Sequence, residues 1–474
     1  MKGWTVAVEV FGAPVATPER CEGLVRRSMT RLRQLLTAYY ADEGKDEPIC
    51  IELIRGCYLP KFHLVTPSAS MPDENTEWPA LLLLVEQPRR LTEDGELDWL
   101  AAGLTEELVA SLNGYADAFT AVHAPFADAA PQDRLEATGA RLIFRLRAGL
   151  RRHGEDFRLG FQLFEGPAAR VRWSEQFSLR LSDPAPFAVL EHISQRVAAT
   201  LLDPHGIVYQ CSQRHVAELP ETYRALFLYN QYQERFTRER HCLAREALEL
   251  ALVNEPDHAE TLAALADVYL GEALFGFNPA GPLPQLMERF VSTAQQAVAL
   301  EPANVMANYI LAMMLFYARR ETEFRHVAER ALRLAPNRPD NLAVIGMHRM
   351  LAGDWDSGQA LVSRAMDLNP CHPSWHYLVF ALHALHHHRP EEALAVLSPF
   401  AAVEFFPFQI NLAVIQAHLG HQEEAHRCLE RMYHLWPEAV GKIEEILDFW
   451  FPYGDMAAIF KSALASIPVS PKCP

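Results

Sequence analysis

A regular spacing of prolines constrains the fold of this chain more than any other feature. The segments AVALEP, ALRLAP and AMDLNP end at Pro302, Pro336 and Pro370, two intervals of 34 residues, and alanine stands five residues before each proline. This period, with small residues where helices cross, is typical of stacked helix–turn–helix units. One helix pair cannot bury its apolar side alone, so neighbouring pairs stack. We therefore predict an all-α superhelix over residues 214–470.

The units resemble tetratricopeptide repeats. LAGDWDSGQALVSRAMDLNP (351–370) is similar to the second half of that consensus, with a turn through Gly353 and Asp354. Between Pro256 and Pro302 the spacing exceeds one period, and the surplus matches the Gly/Pro-rich stretch FGFNPAGPLP. We interpret that stretch as a long loop, with a functional lid as the alternative. About six repeats fit the region.

First helices of such repeats line the concave surface, so aromatic side chains there are candidates for a partner groove. Most of them are expected to pack between helices, and the exposed minority would bind a protein or peptide partner. The predicted groove residues are Tyr309, Phe316, Tyr377 and Phe380.

The middle region, residues 80–205, changes to a two-residue period. RLIFRLRAGL, FRLGFQLFEG and VRWSEQFSLRL alternate apolar and polar residues, which predicts an antiparallel meander. An apolar strand and a helix precede the meander and another helix follows it. We predict an α/β domain here, and an α+β multidomain chain as a whole.

This region also carries a family resemblance. GLTEELVASL (103–112), RWSEQF and FAVLEHISQRVAATL resemble the TolB-amino-terminal-like domain. That domain accompanies tetratricopeptide repeats in CadC-like bacterial regulators and in some class III adenylate cyclases. The resemblance implies a sensory or assembly module without a catalytic motif.

Residues 64–79 form a polar linker, and residues 1–63 before it contain a basic segment, VRRSMTRLRQLL (25–36). On a helical wheel its apolar residues make one stripe, and arginines occupy the opposite side. ICIELIRGCYLPKF (49–62) follows and predicts a β-hairpin that turns at Arg55.

The layout resembles an OmpR/PhoB-type winged helix. In that family another helix precedes the one that MKGWTVAVEVFG resembles, so we expect the domain to be N-terminally incomplete. The guanidinium group of arginine makes paired hydrogen bonds to guanine edges and to phosphates. The resemblance therefore implies binding to double-stranded DNA. The alternative is a solvated arginine face on a scaffold helix. The candidate DNA-binding residues are Arg26, Arg27, Thr30, Arg31, Arg33 and Arg55.

Charge and hydropathy narrow the function classes. A net charge of -17 argues against general coating of nucleic acid or anionic membrane, while a local basic patch remains compatible with it. The longest apolar run, PALLLLV at 79–85, is far below the ~20 residues that span a bilayer. Eight scattered cysteines without C-x-x-C are expected to be reduced thiols. We expect a cytoplasmic protein without a membrane partner.

WHYLVFALHALHHHRP (375–390) contains five histidines, of which His383 and His387 have metal-chelating i, i+4 spacing. Since no H-E-x-x-H motif accompanies them, surface or packing roles are favoured and no metal site is predicted. No phosphate-binding loop, nucleophile elbow or zinc knuckle occurs, so we expect no cofactor and no enzymatic activity.

Together these features favour a transcriptional regulator that binds DNA through its first domain and a partner through its repeats, with a homodimer as a possible assembly. The alternative is a non-enzymatic interaction scaffold whose winged helix no longer binds DNA.

Overall fold

The structure is a computed structural model that describes residues 49–52, 61–64, 81–91, 96–115, 120–123, 142–153, 156–166, 170–180 and 186–468. The chain divides into two compact units, residues 1–77 and 78–474, which are considered separately below.

In the first unit, the described residues form one antiparallel strand pair. Strand β1 (Ile49–Glu52) pairs with β2 (Lys61–Leu64), with Ile49 opposite Leu64 and Glu52 opposite Lys61. The pairing agrees with the predicted hairpin, whose turn lies outside the described residues. The candidate DNA-binding side chains also lie outside them: Arg26, Arg27, Thr30, Arg31, Arg33 and Arg55.

The second unit opens with an α/β region built on a mixed sheet. Its strands are β3 (Leu81–Val85), β4 (Arg89–Arg90), β5 (Thr120–His123), β6 (Leu142–His153), β7 (Asp156–Glu165) and β8 (Arg170–Arg180). Its two long helices are α1 (Glu96–Asn113) and α2 (Pro186–Leu202). A short helix, α3 (Ile207–Ser212), follows them.

The strands lie in the order β5-β3-β6-β7-β8, and β4 also pairs with β6. Strand β3 is parallel to both neighbours, whereas β6, β7 and β8 form an antiparallel meander. The predicted meander is confirmed, because these three strands pair in antiparallel fashion and buried and more exposed residues alternate along β6 and β7.

One face of this sheet is covered by helices. Every second residue from Leu142 to Leu150 in β6 is buried, and so is every second residue from Phe157 to Leu163 in β7. Helix α1 meets this face with leucines four residues apart, from Leu100 to Leu112. A four-residue spacing places side chains on one side of a helix, so strand and helix periods combine into one core.

The remaining α-helices run in pairs from Glu221 to Ala465. They are α4 (Glu221–Glu234), α5 (Arg238–Asn254), α6 (Ala259–Phe275), α7 (Leu283–Leu300), α8 (Val305–Tyr317), α9 (Glu321–Leu334), α10 (Pro339–Leu351), α11 (Trp355–Leu368), α12 (His376–His386), α13 (Pro390–Leu397), α14 (Phe406–His418), α15 (Gln422–Leu435), α16 (Ile443–Trp450) and α17 (Met456–Ala465). Consecutive helices pack together, which gives the expected superhelix of repeats.

The sequence period has a direct structural origin. Ala297, Ala331 and Ala365 are fully buried in the second helices of three pairs, where a larger side chain would separate the packed helices. The prolines of the period follow those helices. Asn304 then caps the N-terminus of α8, since its side chain accepts a hydrogen bond of 3.0 Å from the amide of Ala307. None of the helices that the structure describes has the length and apolar character needed to span a bilayer.

The superhelix closes on itself through aromatic residues. The indole N–H of Trp436 donates to the carbonyl of Phe275 at 2.6 Å, and that of Trp450 donates to the carbonyl of Leu274 at 2.9 Å. The two indoles stack 5.3 Å apart, and Phe406 stacks on Trp436 at 4.4 Å. We call Phe275, Phe406, Trp436 and Trp450 the closure seam, and helices α4–α17 the repeat ring.

The α/β region packs against the repeat ring at α10 and α11. The hydroxyl of Tyr115 donates to the carbonyl of Asn337 at 3.4 Å, and the guanidinium of Arg338 lies 5.3 Å from the centre of the Tyr115 ring. Arg196 of α2 donates to the carbonyl of Asp367 at 3.2 Å. These contacts join the sheet region and the ring within one unit.

Candidate ligand-binding site

The repeat ring surrounds a partly open cavity of about 240 Å³, and Asp203, Pro204 and His205 of the α/β region complete its wall. First helices of the pairs supply most of its wall, because the stacking places them on the inner side of the superhelix. The apolar part of the wall includes Phe236, Leu274, Tyr317, Val344, Met347, Leu378, Phe405 and Trp450. One water needs only about 10–15 Å³ in such a measure, so the cavity has room for an organic group.

Asp267 is a carboxylate of the cavity wall that two neighbouring side chains hold in place. The hydroxyl of Tyr229 donates to its Oδ2 at 2.8 Å, and the side-chain amide of Gln233 donates to the same oxygen. Burial raises the pKa of Asp267 to about 6, against the lowering effect of these two hydrogen bonds. The group is therefore ionised at neutral pH and remains an acceptor on Oδ1.

A second cavity of about 130 Å³ adjoins the first and shares Asp203 and Asp340 with it. Arg338 lines this second cavity and binds Asp340 through two hydrogen bonds of 3.2 and 3.0 Å. Burial alone lowers the pKa of Arg338, but the charge and hydrogen bonds of Asp340 raise it above its ordinary value. Burial raises the pKa of Asp203 to about 7, and the charge of Asp340 adds to the rise.

Two histidines in the cavity wall, His348 and His376, are held neutral. Nδ1 of His348 lies 2.8 Å from the carbonyl of Val344, so this nitrogen carries the proton. Burial lowers the pKa of His348 to about 4, against the opposing hydrogen bond to Val344. Burial also lowers the pKa of His376 well below its usual value. At neutral pH these rings therefore add no positive charge to the cavity.

The predicted groove residues occupy three different environments. Tyr309 lines both cavities. Tyr377 and Phe380 are half-buried and lie outside the described cavity wall, with the Tyr377 ring 4.7 Å from that of Phe400. Phe316 is fully buried between Phe324, His348 and Tyr453. The prediction that Phe316 is available to a partner is therefore wrong.

The cavity lies on the concave inner side of the superhelix, where the groove was predicted. Sequence reasoning missed its main polar group, because Asp267 is an isolated aspartate in the apolar helix α6. One signal could have indicated Asp267: it is a charged residue in an apolar stretch of α6 whose neighbouring residues are buried. The interpreted loop at 275–284 contributes Phe275 to the closure seam, and its neighbour Phe277 is buried beside Phe406.

The fold and the site define a protein with helical repeats, a small mixed sheet and an internal cavity. No family model matches the sequence. The chain is 25% identical over 244 residues to a Rhizobium meliloti (strain 1021) protein named "Putative adenylate cyclase 3". This match covers 50% of the chain and 40% of that relative, so it spans less than half of the relative's length.

Among solved structures, the chain is similar to the one described as "Structure of Naa15/Naa10 bound to HypK-THB", with 14% identity and a TM-score of 0.24. That similarity covers 51% of this chain and 39% of the other chain.

Proposed function

We propose that this protein is a non-enzymatic regulatory binding protein whose repeat ring binds a cationic group with an apolar stem. The observation that carries the proposal is the charge of the cavity wall. Its described residues include no lysine or arginine. Of its three aspartates, Asp340 is already paired with Arg338 and the pKa of Asp203 is raised to about 7, so the charge offered to a ligand comes mainly from Asp267. A positive group entering the cavity would meet Asp267 and gain a charge-assisted hydrogen bond, which is shorter and stronger than a neutral one.

The aromatic wall supports the same class of ligand. Tyr317, Trp450 and Phe236 line the same cavity as Asp267, and cations are attracted to aromatic faces by about 0.5–2 kcal/mol each. A wall of carboxylate and aromatic groups is the arrangement that binds ammonium and guanidinium ions.

The size of the cavity limits the ligand. Pockets for drug-sized molecules measure about 300–1,000 Å³, above the 240 Å³ of this cavity. The occupant is therefore one small amine or a single side chain, such as lysine or arginine, that projects from a protein partner. Both sources present the same chemistry to Asp267.

The second cavity supplies a route to the α/β region. Asp340 lies in the wall of both cavities and is bound to Arg338, whose guanidinium contacts the Tyr115 ring at the end of α1. A bound cation would compete with Arg338 for Asp340. We propose that this competition changes the packing of the sheet region on the ring.

Thermal denaturation of the full chain tests the proposal. The probes are benzylammonium, phenethylammonium and tetramethylammonium, with benzyl alcohol as the neutral analogue, and a lysine-containing peptide for the protein-borne source. A cation at 100 times its Kd raises the unfolding free energy by about 2.7 kcal/mol, whereas benzyl alcohol does not. Stabilisation by the peptide alone would assign the site to a protein partner.

Asp267→Asn separates cavity binding from surface binding, because it keeps the side-chain shape and removes the charge. Asp257→Asn is the matched control, since Asp257 is exposed in the turn between α5 and α6. Loss of stabilisation in Asp267→Asn but not in Asp257→Asn supports the proposal. Equal stabilisation of both variants, or none of the wild type, contradicts it.

A second candidate function is DNA binding, which would make the protein a transcriptional regulator. For residues 1–63 it stays a prediction from the sequence. One observation elsewhere favours it: the sheet face opposite the helices carries Arg145, Arg151 and Arg158, and Arg151 lies directly opposite Arg158 in the register. Like charges directly opposite each other repel and destabilise the sheet, so an anionic partner bound there would reduce this repulsion.

Fluorescence anisotropy with double-stranded DNA tests this candidate. The pair Arg151→Ala and Arg158→Ala, and separately Arg27→Ala and Arg31→Ala, should weaken binding. Each lost phosphate contact lowers the salt dependence, the slope of log K against log salt, by about 0.9. Unchanged affinity and slope in both pairs would leave the interaction scaffold as the alternative.

A further inference from the structure

A group of metal-binding side chains lies between two neighbouring repeats, away from the described cavity wall. Asp356 stands in the first turn of α11, His383 in the last turn of α12, and His387 directly after it. One ligand atom of each residue lies within 4.8 Å of the other two. We propose that Asp356, His383 and His387 form a site for Zn²⁺.

The distances suit this ion. Nε2 of His383 is 2.9 Å and Nε2 of His387 is 3.8 Å from Oδ1 of Asp356. Tetrahedral Zn²⁺ with bonds of about 2.0–2.2 Å holds its ligand atoms roughly 3.3–3.6 Å apart, between those two values. Small rotations of exposed side chains would equalise them, and Asp356 is 89% exposed.

The helices favour a cation at this position. His383 and His387 are one turn apart, so both imidazoles lie on the same side of α12. They stand at its C-terminal end, where the helix dipole places partial negative charge. The carboxylate of Asp356 neutralises half of the charge of a divalent ion. Two imidazoles and one carboxylate leave a fourth position for water or another ligand.

The adjacent aromatic side chain restrains the site. The ring of His386 stacks on Trp355 at 3.8 Å, which connects the end of α12 to the start of α11 directly beside the ligands. His383 is buried and its position is fixed by the surrounding helix. The sequence alone offered the histidine pair, and the structure adds the third ligand from the preceding repeat.

Calorimetric titration of the chelator-treated full chain with Zn²⁺ tests the site. We expect one equivalent to bind and the melting temperature to rise, since the ion links two repeats of the folded state only. Co²⁺ in place of Zn²⁺ should give visible absorption typical of nitrogen and oxygen ligands. Absence of binding would leave only the hydrogen bond between His383 and Asp356 and would overturn the proposal.

Two exposed substitutions make the assignment specific without disturbing the core. Asp356→Ala and His387→Ala should each weaken Zn²⁺ binding more than tenfold, the lower bound for losing even an outer-shell partner. His434→Ala is the matched control, because His434 is exposed on α15 outside the proposed ligand set. Equal affinity in all three variants would place the bound ion at other histidines and overturn the proposal.

Discussion

Two seams of the repeat ring use opposite kinds of side chain. Between α10 and α11, Gly346 and Gly358 face each other so closely that a Cβ on Gly346 would lie 2.7 Å from the carbonyl oxygen of Gly358. At the closure seam, large rings fill the space, and Trp436 is fully buried. We call the first contact the glycine seam.

The difference follows from how each seam arises. The glycine seam joins helices that are adjacent in the chain, where small residues let the helix backbones approach. The closure seam joins helices about five repeats apart, and the gap left by the stacking is filled by aromatic surface. Large rings contribute most of the burial free energy for such long-range contacts. The glycine seam thus belongs to the packing of one helix pair, whereas the closure seam joins distant parts of the repeat ring.

The largest effect is expected from removing a closure ring. Trp436→Ala removes the stacking on Phe406 and Trp450 and leaves the carbonyl of Phe275 without its donor. We expect a loss of about 3–5 kcal/mol in the free energy of unfolding, measured by urea denaturation. Val253→Ala, at a 75% exposed position, is the control. A loss below 1 kcal/mol would show that the seam contributes little.

Acid should destabilise the repeat ring next, through the buried His348. His348 packs edge-on against Phe316 at 4.9 Å, and Phe316 contacts Tyr453 near the end of the ring. Its folded pKa of about 4 lies below the ordinary 6.5, so only the unfolded state gains a proton between these values. The free energy of unfolding should fall as pH drops from 6.5 to 4, by up to about 3 kcal/mol.

His348→Gln removes this titration and should flatten the pH dependence. The measurement is urea denaturation at pH 7 and pH 4.5, with His434→Gln as the exposed control. A slope that is the same in wild type and both variants would contradict the assignment of the effect to His348.

The glycine seam should respond less than the closure seam. In Gly346→Ala the new methyl group would also lie 2.9 Å from Cγ2 of Val362 and 3.0 Å from Cβ of Leu361. Overpacking of this kind costs about 1–3 kcal/mol. Gly103→Ala in α1 is the matched control, because the nearest atom there is 3.9 Å away and alanine favours the helix by about 0.5–1 kcal/mol. Equal stability of the two variants would contradict the close approach.

The sequence allowed the local seams to be predicted because they recur. Ala331 and Ala365 repeat at 34 residues, and the helix pairs follow from them. The sheet meander was predicted from alternating residues such as those of β6 and β7. The helix pairs and the meander both depend on residues close together in the sequence, so the periodicity of the sequence predicts them.

Closure and the cavity could not be predicted in this way. Phe275 and Trp436 are separated by 161 residues and belong to no common period. The cavity involves the same long-range contact, since Phe275 and Trp450 of the closure seam line it. The burial of Phe316 likewise depends on Tyr453 at the far end of the ring, which explains why its assignment to a groove was wrong.

A disulfide tests closure most directly. A Cβ at Gly276 would lie 3.5 Å from Cβ of Glu438, within the about 3.5–4.5 Å that a disulfide requires. Gly276→Cys combined with Glu438→Cys should form an intramolecular bond under mild oxidation, identified by mass spectrometry of linked peptides. The control pair is Gly166→Cys with Glu438→Cys, because no atom lies within 4 Å of a Cβ at Gly166. Closure predicts the 276–438 link and no link between 166 and 438; absence of the 276–438 link in the folded chain would contradict it.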